Sequence, residues 1–195
     1  MVSNNIEIEA KVLLSEDDYK KALKNLHLGG RKVTQTNYYL DSHDRILKKY
    51  GMILRIRVVD NQTVLTMKAP MSEGLLEKTQ SLSYEEADSI IHHDEFPAGE
   101  IADFLDILHI PTENLFVLAK VTTEREESAY KGTRIDISKN RYSGITDYEL
   151  ECDSESALKS QDTLRELCEM LEIPFVLNTV SKETRAINHA LGHIE

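Results

Sequence analysis

Apolar and charged residues alternate in stretch after stretch of this chain, and the repetition limits what it can fold into. Ile6-Glu7-Ile8-Glu9-Ala10-Lys11-Val12 opens the series. Leu54-Arg55-Ile56-Arg57-Val58, Val64-Leu65-Thr66-Met67-Lys68, Arg134-Ile135-Asp136-Ile137 and Asp147-Tyr148-Glu149-Leu150-Glu151-Cys152 continue it. Strand side chains point to opposite faces with period two. Glu7, Glu9 and Lys11 therefore share one face, and Ile8, Ala10 and Val12 the other. Any one of these stretches alone reads as a strand with one solvated face.

Taken together they pose a sharper choice. Helices that pack on a closed sheet need apolar outer strand faces, and these strands supply them, which turns the charged faces inward. A dry interior would cost several kcal/mol for each buried ion. A closed sheet would thus enclose a wet tunnel in which opposite charges pair and a charged ligand completes the balance. In an open sheet the same charges simply face water.

The remaining pattern favours antiparallel strands. Ser15, followed by Glu16, Asp17 and Asp18, caps a helix running to about Leu26. Strands follow over Lys32–Asp41, Met52–Val59, Gln62–Ala69 (ended by Pro70) and Leu75–Ser83, with a tight turn at Asp60-Asn61. Helices are expected over Tyr84–His92 and Ala98–His109, and Pro111 closes that interval. Further strands are expected at Leu115–Glu126, Thr133–Lys139 and Ile145–Cys152, turned at Lys131-Gly132 and Ser143-Gly144. A helix capped by Ser154 runs to about Leu171, and a last one from Ser181 to near Gly192. The expected fold is α+β, an eight-stranded antiparallel β-barrel in one domain, 1–195, with helices packed outside and across one end.

A net charge of −11 over 195 residues excludes a general nucleic-acid or membrane-surface binder. It leaves room for a small polyanion held by a local basic cluster. No apolar run reaches transmembrane length, no signal peptide is evident, and Cys152 and Cys168 lack metal-like spacing, so a cytoplasmic location is expected. A homodimer is compatible with the sequence.

The inward charges sort by chemistry. Glu7, Glu9, Asp136, Glu149 and Glu151 offer oxygen ligands suited to Mg²⁺ or Mn²⁺. Lys11, Arg55, Arg57, Lys68 and Arg125 suit phosphates, arginine gripping in a bidentate way and lysine as a point charge. Cations and metal around a chain of phosphates are what phosphoryl transfer requires.

These residues, in this order, resemble the CYTH family of triphosphate tunnel metalloenzymes. Glu7-x-Glu9-x-Lys11 is similar to its N-terminal signature. Tyr39-x-Asp41, Leu54-Arg55-Ile56-Arg57, Thr66-Met67-Lys68, Thr123-Glu124-Arg125, Arg134-Ile135-Asp136, Glu149-Leu150-Glu151 and Ser181-Lys182 resemble its later motifs. The resemblance implies an eight-stranded tunnel that binds a triphosphate or polyphosphate small molecule with Mg²⁺ or Mn²⁺. It implies Glu7, Glu9, Asp136, Glu149 and Glu151 as metal ligands. Lys11, Arg55, Arg57, Lys68, Arg125 and Lys182 would bind phosphate, with Glu7, Glu9 and Lys11 as the catalytic set.

Family activities include hydrolysis of thiamine triphosphate, inorganic triphosphate or RNA ends, and adenylate cyclisation. The expected activity is metal-dependent hydrolysis of a triphosphate at its terminal phosphate. A cyclase and a non-catalytic polyphosphate-binding module stand as alternatives. Two positions depart from the pattern: Thr123 stands where many members carry a basic residue, with Lys120 out of phase, and Leu75 stands where an arginine is frequent.

Other chemistry-bearing residues read as structural. His92-His93 with Asp94 suits a solvated loop, and His189 and His193 lack a third ligand. Cys152 and Cys168 suit packing, and Asp41 suits either the site or a turn at its strand end.

Overall fold

The computed structural model describes residues 3–26, 29–72 and 74–192, with residues 3–7 described as backbone only. Among these, nine strands form one antiparallel sheet. They are β1 Ser3–Glu7, β2 Glu9–Leu14, β3 Arg31–Asp41, β4 Ile53–Val59, β5 Gln62–Pro70, β6 Leu75–Ser81, β7 Phe116–Tyr130, β8 Thr133–Tyr142 and β9 Ile145–Asp153. The helices are α1 Glu16–Asn25, α2 Ile46–Lys49, α3 Tyr84–His93, α4 Glu100–Ile107, α5 Ala157–Leu171 and α6 Lys182–Ala190.

The strand order is β1-β6-β5-β4-β3-β7-β8-β9-β2. The two ends of that order are joined in sequence by the single residue Ile8. This corrects the expectation of one continuous first strand over Ile6–Val12. The chain leaves the β6 edge after Glu7, which pairs with Leu75, and joins the β9 edge at Glu9, which pairs with Asp153. The Ile8 carbonyl, released from the ladder, accepts from the Ser154 N–H and the Ser160 hydroxyl, both at 3.1 Å. Counting β1 and β2 as halves of one strand gives the eight-stranded wall expected. The sheet comes round on itself through the covalent chain at Ile8.

Three two-residue hairpin turns set the registers. Asp60-Asn61, Lys131-Gly132 and Ser143-Gly144 all have positive φ at both positions, the geometry whose twist matches that of the flanking strands. Two helix starts differ from expectation. The cap of α5 is Ser156, whose hydroxyl accepts from the Lys159 N–H, while Ser154 turns back to the Ser160 hydroxyl. The short helix α2 was not anticipated. Its N–H groups at Leu47 and Lys48 are satisfied by the Asp41 carboxylate, too far upstream to read as an ordinary cap. His92 and His93 end α3 rather than lying in a loop, both exposed and near Asp88.

Apolar outer faces hold the helices. Leu54, Ile56, Leu65 and Met67 pack with Leu47, Ile90, Ile101 and Leu105 from α2, α3 and α4. Val12, Ile135, Ile137, Leu150 and Cys152 pack with Leu164, Leu167, Cys168 and Leu171 of α5 and Ala22 of α1. Each fully buried Leu or Ile contributes about 1.5–3 kcal/mol, so the apolar half of every alternation is firmly committed outward. Both cysteines are thus packing residues, free and buried.

The remaining helix differs in kind. Ala186 and Ile187 of α6 pack on Tyr39, Ala119, Val121 and Tyr142. Tyr39 is paired in register with Arg55, so it points to the charged face. Helix α6 therefore lies across one end of the interior. No helix among the described residues is long and apolar enough to cross a membrane.

Candidate active site

The register turns the alternation into circumferential rungs of inward side chains. Glu9 pairs with Asp153 and Asp153 with Arg134, Lys11 with Glu151 and Glu151 with Asp136, and Glu149 with Ser138, itself opposite Arg125. On the facing wall Arg55 lies between Tyr39 and Thr66, Arg57 opposite Asn37, and Lys68 opposite Glu77. A single cavity is lined by Glu9, Lys11, Arg55, Arg57, Lys68, Arg125, Asp136, Glu151 and Lys182. Every sequence-derived site residue except Glu7 and Glu149 lines it. The Glu7 side chain lies outside the described residues, and Glu149 is fully buried just behind the wall.

One wall is a closed ion network. Arg125 donates to Asp136 at 2.7 Å and to Glu151 at 2.8 Å, with Nε on the Ser138 hydroxyl at 3.1 Å. Lys11 Nζ sits 2.5 Å from Glu9 Oε1 and 3.8 Å from Glu151 Oε1. Lys182 Nζ lies 2.8 Å from Glu149 and 3.8 Å from Glu151. Burial alone would push the Glu151 carboxyl up, but Lys182, Arg125, Lys11 and Lys68 outweigh it and hold the group well below the carboxylate range. Burial likewise opposes the charge on Lys11, yet Glu151 and Glu9 keep its pKa raised. At Asp136 burial wins, and its carboxyl is shifted up despite Arg125 and Arg134.

Among the described residues the opposite wall is short of negative charge. Glu77 is shared by Arg55 at 3.6 Å and Lys68 at 3.5 Å. Among the described residues Arg57 meets no carboxylate within ion-pair distance and donates only to the neutral Asn37 side chain at 3.2 Å. Burial, then Arg55 and Arg125, disfavour its charged form and push its pKa down. The buried Nε of Arg55 has no hydrogen-bond acceptor among the described residues. Guanidinium groups keep their charge in proteins. Among the described residues this wall therefore carries cationic side chains that neighbouring carboxylates do not fully offset.

Among the described residues no three His, Cys, Asp or Glu side chains converge on one point. Two carboxylates do converge: Glu9 and Glu151 both reach the Lys11 ammonium. Mg²⁺ commonly takes one or two carboxylates and completes its shell with water and phosphate oxygens, so this donor set fits a metal that arrives with its substrate. Glu149 contributes less. Its oxygens already accept from Arg185, Asn140 and Lys182, each at 2.8 Å.

Several cavity-lining positions were not singled out in the sequence. Glu77, Asp153 and Glu183 line the cavity, as does Tyr39, quoted only within the Tyr39-x-Asp41 motif, and Arg134, quoted only as part of an alternation and of a motif, stands half-exposed at its rim. Arg185 was missed although it lies three residues after Lys182, on the same helix face. The departures also acquire positions. Thr123 is buried and donates to Asn140 Oδ1 at 2.8 Å, a neutral pair in place of a cation. Lys120 faces outward over the Tyr38 ring. Asp41 serves the turn, accepting from Ser42, Arg45, Leu47 and Lys48. His189 meets the edge of the Tyr142 ring, and His193 lies outside the described residues.

Comparison with known proteins agrees with this architecture. Residues 5–187 match the CYTH domain family model. The chain is 32% identical over 174 residues to "Putative triphosphatase YjbK" of Bacillus subtilis, covering 89% of this chain and 90% of that one. It superposes on a crystal structure from Bacillus halodurans titled a "putative adenylate cyclase" with a TM-score of 0.86 at 34% identity, covering 93% and 97% of the two chains. The fold is shared with HpAC1 of Hippeastrum, an adenylyl cyclase by name whose structure is described as revealing a dominant triphosphatase activity (TM-score 0.73, 19% identity, 91% and 92% covered). The chain belongs to the CYTH domain family.

Proposed function

We propose that this protein is a metal-dependent triphosphatase that removes the terminal phosphate of a small triphosphate drawn into the tunnel. The observation that carries the proposal is the under-compensated wall of Arg55 and Arg57, facing the carboxylate-rich wall of Glu9, Asp136 and Glu151. Cations on one side hold phosphate oxygens, and carboxylates on the other face the end where a metal is needed. The name of the 32%-identical relative points the same way.

Arg55, Arg57 and Lys68 hold the inner phosphates and stabilise charge that develops on the leaving group. Lys11, Arg125 and Lys182 lie on the carboxylate side and release part of their ion pairing to the phosphate. Mg²⁺ or Mn²⁺, held by Glu9 and Glu151 with Asp136 beside them, would neutralise phosphate charge and orient its oxygens. Glu9 is the most exposed carboxylate of the network and is free to accept from a water entering at the rim, which makes it the group to orient the attacking water. Glu7 and Glu149 remain in the proposed metal set by resemblance.

Cyclisation is the second reading, since the Bacillus halodurans structure carries that title. A nucleotide needs a face for its base, and the only aromatic side chain lining the cavity among the described residues is Tyr39, almost wholly buried beneath α6. Incubation with ATP and Mg²⁺, followed by separation of products, tests the choice. Hydrolysis yields ADP and phosphate. Cyclic nucleotide with diphosphate would overturn the triphosphatase reading.

A further inference from the structure

We infer that Arg185 is a positioning residue that holds Lys182 in the phosphate tunnel, and that α6 acts as a fixed end wall rather than a passive cover. The inference rests on the reading of Lys182 as a phosphate contact.

Arg185 makes three bonds in three directions. Its Nε donates to Asp147 Oδ2 at 2.9 Å, its Nη2 to Glu149 Oε1 at 2.8 Å, and its Nη1 to the Val180 carbonyl at 3.0 Å. Asp147 and Glu149 lie two apart on the inner face of β9, so one planar fork spans successive rungs, the geometry at which arginine excels. The third bond fixes the residue that precedes the helix cap. Ser181 then caps α6 by accepting from the Thr184 N–H at 3.0 Å. Lys182, one residue on, is delivered to the carboxylate wall.

A second anchor works from the other side. Glu183 accepts from Arg45 at 3.2 Å, and Arg45 is held by Asp41 at 2.9 Å. The segment leading to α6 is also tied to the first alternating stretch, where the Asn178 N–H donates to the Lys11 carbonyl at 2.8 Å. Lys182 is the only α6 cation lining the cavity, and it sits between these anchors. Because Glu149 receives both Lys182 and Arg185, it couples the end wall to the site.

Binding of inorganic tripolyphosphate by calorimetry, without added metal, tests the inference on K182Q, R185Q and K182Q/R185Q, with folding checked by circular dichroism. R185Q should weaken binding by about tenfold, the scale of a lost supporting contact. K182Q should do the same, and the double variant should lose no more than either, because the two changes remove one contact. In turnover, R185Q should raise KM more than it lowers kcat. Wild-type affinity in R185Q alongside a weakened K182Q would remove Arg185 from this role and leave the function intact. Losses that multiply in the double variant would also overturn it. Wild-type affinity in K182Q would instead remove Lys182 from the phosphate site, and this role of Arg185 with it. Should R185Q fail to fold, R185K keeps the charge and loses the fork, and should show an intermediate loss; unchanged binding there would overturn the inference.

Discussion

Arg125 holds Glu151 through a 2.8 Å bond from Nη2 to Oε2, with both side chains about nine-tenths buried. The same guanidinium takes Asp136 on its other nitrogen, so a single residue secures two carboxylates of the site. Removing one partner of a buried pair strands the other. R125Q is therefore expected to cost about 3–5 kcal/mol of stability, read from urea denaturation at neutral pH. A loss under 1 kcal/mol, the scale of exposed pairs, would show that the pair is solvated.

Arg57 should behave in the opposite sense. Its charge is opposed by burial and by Arg55 and Arg125, and among the described residues no carboxylate pairs with it. R57Q should raise the melting temperature of the ligand-free protein while weakening tripolyphosphate binding at least about tenfold, a trade common where function keeps a site unfavourable. Lower melting temperature together with unchanged binding would contradict the account of this wall.

Glu183 gives a pH signature. Burial raises its carboxyl above the ordinary 4.5, against the opposing pull of Thr184, Arg45 and Ser181. The folded protein then binds this proton more tightly than the unfolded chain, so the contribution to stability falls as pH rises from 4.5 through the folded value. E183Q has no such proton. The stability of wild type relative to E183Q should fall as pH rises above 4.5, measured by denaturant melts at each pH. A constant or rising difference would show that Arg45 has already neutralised the burial cost.

The sequence carried the sheet more fully than the site. Alternation at Leu54–Val58 or Asp147–Cys152 assigns each side chain to a face without knowledge of the partner strand, and the positive-φ turns at Asp60-Asn61, Lys131-Gly132 and Ser143-Gly144 set the hairpins locally. The break at Ile8 was hidden because its cause is remote: the chain changes from the β6 edge to the β9 edge, and Ser154 and Ser160 take the carbonyl released. The same holds for α2, capped from Asp41. Within the site, the residues found lie on strands, apart from Lys182 at the start of α6, which came from the resemblance. Arg185, Glu183 and Glu77 were missed because their roles come from partners 36, 138 and 22 positions away in sequence. Nor does alternation distinguish Glu151, which lines the cavity, from Glu149 behind it, since both share one face of β9.

The central claim is turnover at the carboxylate wall. Phosphate release from inorganic tripolyphosphate should be followed with Mg²⁺ or Mn²⁺, with chelator, and with the E9Q variant. The account predicts metal-dependent release by wild type, its loss with chelator, and a fall of about a hundredfold or more in E9Q with tripolyphosphate binding retained. Tight binding of tripolyphosphate with no release under any metal condition, or release undiminished in E9Q, would contradict it.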